Sequence, residues 1–223
     1  MLKSQKHVFW QALIVAAFIF ASGILLGFLI ENFRTEKMQD LYLEAEIQLL
    51  DVKMQNEIFS VREEIGEIGC DLLIQKNIEF ADKIFEEALS LNKLEKSQKI
   101  TENVKTQHKK YDLLRAMVWL NSIETRGKCN YSYHDIIYIY DYNNPRLDQN
   151  AKQMSFSRIL TELKNRQGNK ILLVPIAGDN DLSSIDLLMN AYNVTVDELP
   201  VILIDEKIKI TEIEKVEKIE ELL

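Results

Sequence analysis

Apolar residues fall into three successive patterns along this chain. Val8 to Ile30 is an unbroken apolar run whose only polar members are Gln11 and Ser22. Leu41, Ala45, Ile47, Leu49, Leu50, Val52, Met54, Ile58 and Val61 then recur among Glu, Gln and Lys at helical intervals. They predict a helix over residues 35–66, punctuated by Gly66 and Gly69. A second helix is expected from Cys70 to Ser90, on the stripe Leu73, Ile74, Ile78, Ala81, Ile84, Phe85 and Leu89. A third, Ile100 to Ile123, carries Val104, Tyr111, Leu114, Met117, Val118 and Leu120, with Gly127 as its stop. Amphipathic helices joined by short polar turns make a small helical bundle.

The period changes at His134. Ile136 to Tyr140 is a β-branched and aromatic run, the mark of a buried strand. Met154 to Arg166 reads as helix and Lys170 to Ile176 as a second strand. Asp179, Asn180 and Asp181 make a turn, and Ser183 with Asp186 suits a helix running to Tyr192. Val201 to Asp205 and Lys207 to Ile210 read as strands joined by a tight turn, and Thr211-x-x-Glu214 as the capping box of a last helix. Strands alternating with helices give an α/β layer. The expected organisation is a tail at 1–7, a membrane helix at 8–30, a helical segment at 31–130 and an α/β domain at 131–223.

At about 1.5 Å rise per residue the first run reaches roughly 34 Å, enough for the hydrocarbon layer of a bilayer. A cleaved signal peptide is the rival reading. Signal cores are shorter and end at small residues, whereas this run continues into Phe28, Leu29, Ile30, Glu31, Asn32 and Phe33, which favours an uncleaved anchor. Gly23 and Gly27 form a G-x-x-x-G that would let two such helices approach closely as a homo-oligomer. Lys3 and Lys6 on one side are balanced by Arg34 and Lys37 on the other, so flanking charge decides little about orientation. Two N-glycosylation sequons, at Asn130 and Asn193, favour an extracytoplasmic domain.

Charge narrows the partners. All 35 acidic residues lie after residue 30, against 25 basic ones there, a formal charge of −10. Such a surface repels phosphate backbones, which argues against nucleic acid, and holds to anionic lipid only through its anchor.

The element order from His134, together with Glu198-Leu199-Pro200-Val201-Ile202-Leu203-Ile204, resembles the thioredoxin superfamily. The resemblance covers residues 134–223 and implies a cis Pro200 beside the active site, where backbone groups can pair with an extended peptide. The whole layout is similar to uncharacterised membrane-anchored thioredoxin-like proteins of archaea, a likeness that implies no established activity. The chain departs from the family at its chemistry. Where the reactive Cys-x-x-Cys would stand are Asn143, Asn144, Pro145 and Arg146, and no Cys, Ser or Thr occurs between Tyr142 and Met154. Disulfide exchange needs a thiolate nucleophile, so ordinary thioredoxin chemistry is not expected there.

Three readings of the two cysteines stand open. Cys70 and Cys129 could form a structural disulfide in an external domain, remain buried thiols in a cytosolic one, or act as reactive and resolving thiols; the first is preferred. His7, His108 and His134 have no metal-ligand spacing, and His108, beside Lys109 and Lys110, reads as a solvated helix face. Asp179, Asn180, Asp181 and Asp186 lack the Gly and Glu of a calcium loop, and Trp119 reads as core. No metal or cofactor is expected. The sequence thus points to a membrane-anchored extracytoplasmic protein, without a catalytic motif, that binds a protein or peptide partner around Asn143, Asn144, Pro145, Arg146, Leu199 and Pro200. The alternatives are an envelope thiol–disulfide enzyme using Cys70 and Cys129, and a membrane oligomerisation scaffold.

Overall fold

The computed structural model describes residues 8–30, 43, 47, 50, 51, 54, 67–97, 102–129, 133–143 and 145–223. The chain divides into two units, Met1–Glu44 and Ala45–Leu223. In the first, helix α1 (Val8–Ile30) has a mean hydropathy of 2.8 and is long and apolar enough to cross a membrane. Its one hydroxyl is satisfied within the helix, Ser22 Oγ donating to the Phe18 carbonyl at 2.8 Å. Open space surrounds Gly23 and Gly27. Of the helix expected over 35–66, Leu43, Ile47, Leu50, Asp51 and Met54 are helical and exposed. The rest of that stretch, with Gly66, lies outside the described residues.

The second unit runs α2 (Glu67–Ser97), α3 (Glu102–Lys128), β1 (His134–Tyr140), α4 (Leu147–Gln167), β2 (Ile171–Ala177), α5 (Ser183–Ala191), β3 (Val201–Ile204), β4 (Ile208–Ile210) and α6 (Val216–Glu220). The strands form one mixed sheet in the order β2-β1-β3-β4, with β1 and β2 parallel and the other pairs antiparallel. Pro175 is tolerated within β2 because β2 is an edge strand and one side of it makes no ladder bonds.

Alternation along the strands supplies two buried faces. Ile136, Tyr138, Ile171, Leu173, Ile202 and Ile204 meet Phe156, Leu160 and Leu163 of α4 and Val216 and Ile219 of α6. Ile137, Ile139, Val174, Ile176, Val201 and Leu203 are buried on the opposite face.

Helices α2 and α3 pair antiparallel and both pack on β2, so the helical segment becomes a layer of the α/β unit. Asn77 Nδ2 donates to Thr125 Oγ1 at 2.8 Å, and Tyr111 Oη to the Ile84 carbonyl at 2.5 Å. A disulfide between Cys70 and Cys129 closes the hairpin, with Cα atoms 5.7 Å apart.

Several boundaries differ from expectation. α2 runs through Gly69, and α3 through Gly127 to Lys128, where the disulfide at Cys129 holds the end that a glycine alone would fray. α4 starts at Leu147, seven residues before Met154, because Gln149 Oε1 accepts the Arg146 N–H and so caps the first turn. Thr211 does not cap the last helix. α6 begins at Val216 behind Lys215, where Val216 and Ile219, three apart, dock on the core.

Candidate functional site

Parallel pairing of β1 with β2, and antiparallel pairing of β1 with β3, bring three loops to one edge of the sheet. The C-terminal ends of β1 and β2 emerge there, and Val201, which opens β3, pairs with Ile139 near the end of β1. Residues 141–143 with 145–146, 178–182 and 196–200 therefore converge. The Leu199–Pro200 peptide bond is cis, as the resemblance implied. Gly178 fits beneath it without a side chain, since a Cβ there would lie 2.9 Å from both Ile139 Cγ2 and Leu199 Cδ1.

Each loop is tied down by side chains. The Asp179 carboxylate accepts the backbone N–H groups of Tyr142 and Asn143, both at 2.7 Å, and the Asp179 carbonyl accepts Asn143 Nδ2 at 2.7 Å. Asn143 is therefore engaged with its own protein, and Asn144 lies outside the described residues. Leu199 is likewise held: its N–H donates to the Val196 carbonyl at 3.3 Å, and its carbonyl accepts Gln149 Nε2 at 3.4 Å. Pro200 is buried.

Between the start of α4 and these loops lies an open cleft of 390 Å³. Arg146, Asp148, Gln149 and Lys152 form one wall, and Asp197, Glu198, Leu199, Thr211 and Glu212 the other. Lys152 approaches Glu212 at 3.9 Å, Arg146 approaches Asp148 at 3.5 Å, and Lys209 pairs with Glu198 at 3.1 Å. Lys209 and the Thr195 backbone together hold the Glu198 carboxyl below its usual range. Such exposed pairs contribute about 0–1 kcal/mol each and re-form easily around a ligand. Three apolar residues that neighbour lining residues in sequence are exposed: Leu147 at 89%, Val196 at 48% and Ile213 at 53%. Of the residues marked in the sequence, the fold thus places Arg146 and Leu199 in one cleft, with Pro200 behind it and Asn143 latched beside it. Asn193, exposed and at φ 53, follows α5. Asn130 lies outside the described residues.

Helix α3 supports this edge in a way the sequence reading missed. His108, expected on a solvated face, is only 2% exposed. Its ring stacks on Tyr142, centroids 3.7 Å apart, and Nδ1 donates to Asp112 Oδ2 at 2.8 Å. Asn180 Nδ2 donates to the same oxygen at 2.5 Å. Asp112 Oδ1 accepts Arg115 Nη1 at 2.9 Å and the Ala177 N–H at 3.2 Å. One buried carboxylate thus takes four donors, its full capacity, and joins α3 to the end of β2 and the loop at Asn180. The signal available in the sequence was the spacing 108, 112, 115, 119, 122, 126. It is an inward-facing helical stripe, but mostly polar, which periodicity of apolar residues does not register.

The site as built holds carboxylates, an amide, the Thr211 hydroxyl and two cations, and no thiol. Both cysteines stand elsewhere, joined to each other, with Cys129 only 3% exposed. Among the described residues no group of His, Cys, Asp and Glu is arranged to hold a metal ion. Comparison with protein-family models, curated proteins and solved structures returns no match.

Proposed function

We propose that this chain is a membrane-anchored, extracytoplasmic protein whose thioredoxin-like end binds an extended segment of a protein partner without redox chemistry. The observation that carries the reading is the cleft beside the cis Leu199–Pro200 bond, open, walled by exchangeable ion pairs, with exposed Leu147, Val196 and Ile213 each next in sequence to a lining residue. An open polar cleft with exposed apolar side chains on its flanking segments suits an extended peptide, whose backbone pairs with the cleft while its side chains take apolar contacts. The Leu199 carbonyl, which accepts Gln149 Nε2 at 3.4 Å, is the backbone acceptor an incoming strand would take over. The cysteine-free loop and the bonding of Cys70 to Cys129 support a binding role over thiol exchange, and α1 supports the anchor.

The test is photo-crosslinking in intact cells of the source organism, with the photoreactive residue placed at Arg146 or Thr211 and, as control, at Glu162 on the outer surface of α4. A discrete adduct from both cleft positions, absent at Glu162 and lost on Asp197→Arg, is expected. Equal labelling from all three positions, or none from the cleft, would count against the reading.

A further inference from the structure

At the opposite end of the sheet, three carboxylates surround one guanidinium. Asp135, near the start of β1, is fully buried. Its Oδ1 accepts Ser122 Oγ at 2.6 Å, and Ser122 lies 2.7 Å from Tyr133 Oη. Its Oδ2 receives no hydrogen bond, although Arg126 Nη2 stands 3.1 Å away. Arg126 directs its N–H groups elsewhere: Nη1 to Asp205 Oδ1 at 2.6 Å, and Nη2 to Glu206 Oε2. Asp205 and Glu206 are the two central residues of the β3–β4 turn, φ 49 and 58, closed by the Lys207 N–H on the Ile204 carbonyl; positive φ at both is what a type I′ hairpin turn requires. The turn sets both carboxylates against Arg126 of α3.

We propose that Asp135 and Arg126 form a proton-operated latch: the arrangement seen, with Arg126 on the two carboxylates of the β3–β4 turn and Asp135 Oδ2 unpaired, is that of proton-bound Asp135, and loss of that proton to solvent turns Arg126 Nη2 from Glu206 onto Oδ2. With Asp135 ionised, three negative groups share one guanidinium. With Asp135 neutral, its new O–H and the guanidinium are both donors, so their attraction is lost and Arg126 settles on Asp205 and Glu206. The other groups facing the cluster are known. His134 Nδ1, on β1 itself, lies 2.6 Å from Asp205 Oδ2. Trp119 Nε1 of α3 donates to Glu206 Oε1 at 2.7 Å. Tyr192, after α5, interacts with Glu206 and Arg126 and has its phenol pushed up by burial, so it stays neutral in the range concerned.

The balance at Asp135 favours a switch under mild conditions. Burial pushes its carboxyl up to about 7, against the opposing pull of Ser122 and Arg126 and with help from Glu206 and Asp205. The latch lies on the same helical stripe as His108 and Asp112.

Trp119 reports directly, because it bonds to Glu206. The chain has 2 tryptophans, and Trp10→Phe leaves Trp119 as the sole emitter. In full-length Trp10→Phe protein in lipid nanodiscs, Trp119 emission is expected to titrate with a midpoint of about 7. Adding Asp135→Asn should flatten the curve, while adding His134→Gln should leave the midpoint in place. Persistence of the titration in Asp135→Asn, or its disappearance in His134→Gln, would overturn the latch. A second measurement needs no change at Asp135: the infrared carbonyl band of a protonated buried acid should be present in the Trp10→Phe parent about two units below the midpoint and half lost at it. Absence of that band on the acid side overturns the proposal as well.

Discussion

Replacing both members of the disulfide by alanine is expected to cost the second unit about 4 kcal/mol. The sequence separation of Cys70 and Cys129 is 59. A closed loop of that size lowers the entropy of the unfolded chain by about 14 cal/mol/K, hence about 4 kcal/mol near 25 °C. Alanine is the right substitute because Cys129 is buried, and a serine hydroxyl there would add a desolvation cost of its own. Domains are typically stable by about 5–15 kcal/mol, so the loss is large yet leaves room for folding. In a unit spanning Ala45–Leu223 it corresponds to a fall in Tm of roughly 8–16 °C. The assay is urea unfolding of detergent-solubilised full chain, followed by Trp119 emission in the Trp10→Phe background. Reduced parent and Cys70→Ala/Cys129→Ala should lose stability alike. The slope m should rise, since the uncrosslinked unfolded chain exposes more surface. A loss below about 1 kcal/mol in both arms would refute the reasoning, meaning that the bond does not constrain the unfolded chain as the loop length requires.

Two further outcomes are expected. Asp112→Ala strands donors on His108, Arg115, Asn180 and the Ala177 N–H and leaves Arg115 buried without its carboxylate, so it should destabilise by about 3–5 kcal/mol in the same urea assay; a change within about 1 kcal/mol would show that the network is not what holds α3 to β2. The raised carboxyl of Asp135 sets a sign for pH. Its folded value of about 7 exceeds the ordinary 3.8, so the folded state binds the proton more tightly. This contribution is full below 3.8, falls as pH rises, and is gone above about 7. Parent protein should therefore lose about 2–3 kcal/mol between roughly pH 5 and pH 8, and Asp135→Asn should not. Equal slopes in the two proteins would show that Asp135 does not govern the loss.

Much of the architecture was legible because it rests on local periodicity. The Val8–Ile30 run, the switch from helical to alternating spacing at His134, the strands β1 to β4, and the proline opening β3 all follow from apolar residues that must be buried on one face or two. Helix ends were less legible, since they depend on contacts beyond the local window: Gln149 reaching back to Arg146, the disulfide at Cys129, and the docking of Val216 and Ile219 each moved a boundary. The pairing of Cys70 with Cys129 was one of three open readings, and only the antiparallel packing of α2 on α3 puts their Cα atoms 5.7 Å apart.

The site divides the same way. The sequence by itself determined that no Cys, Ser or Thr stands between Tyr142 and Met154, which removes the thiolate that disulfide exchange needs there. It also marked Pro200. Tertiary structure alone decided how the marked groups are engaged. It tied exposed Asn143 to Asp179, engaged both backbone groups of Leu199, and opened the cleft between Arg146 and Glu212. It also buried the polar stripe of α3, from His108 to Arg126. Hydropathy places such a stripe in water, because it scores each side chain alone. Once four donors converge on Asp112, and Asp205 and Glu206 meet Arg126, the groups satisfy one another and the cost of leaving water is offset. His108 and Arg115 are local to Asp112, but Asn180, the Ala177 N–H, Asp205 and Glu206 come from far along the chain, so local spacing alone could not have carried the compensation.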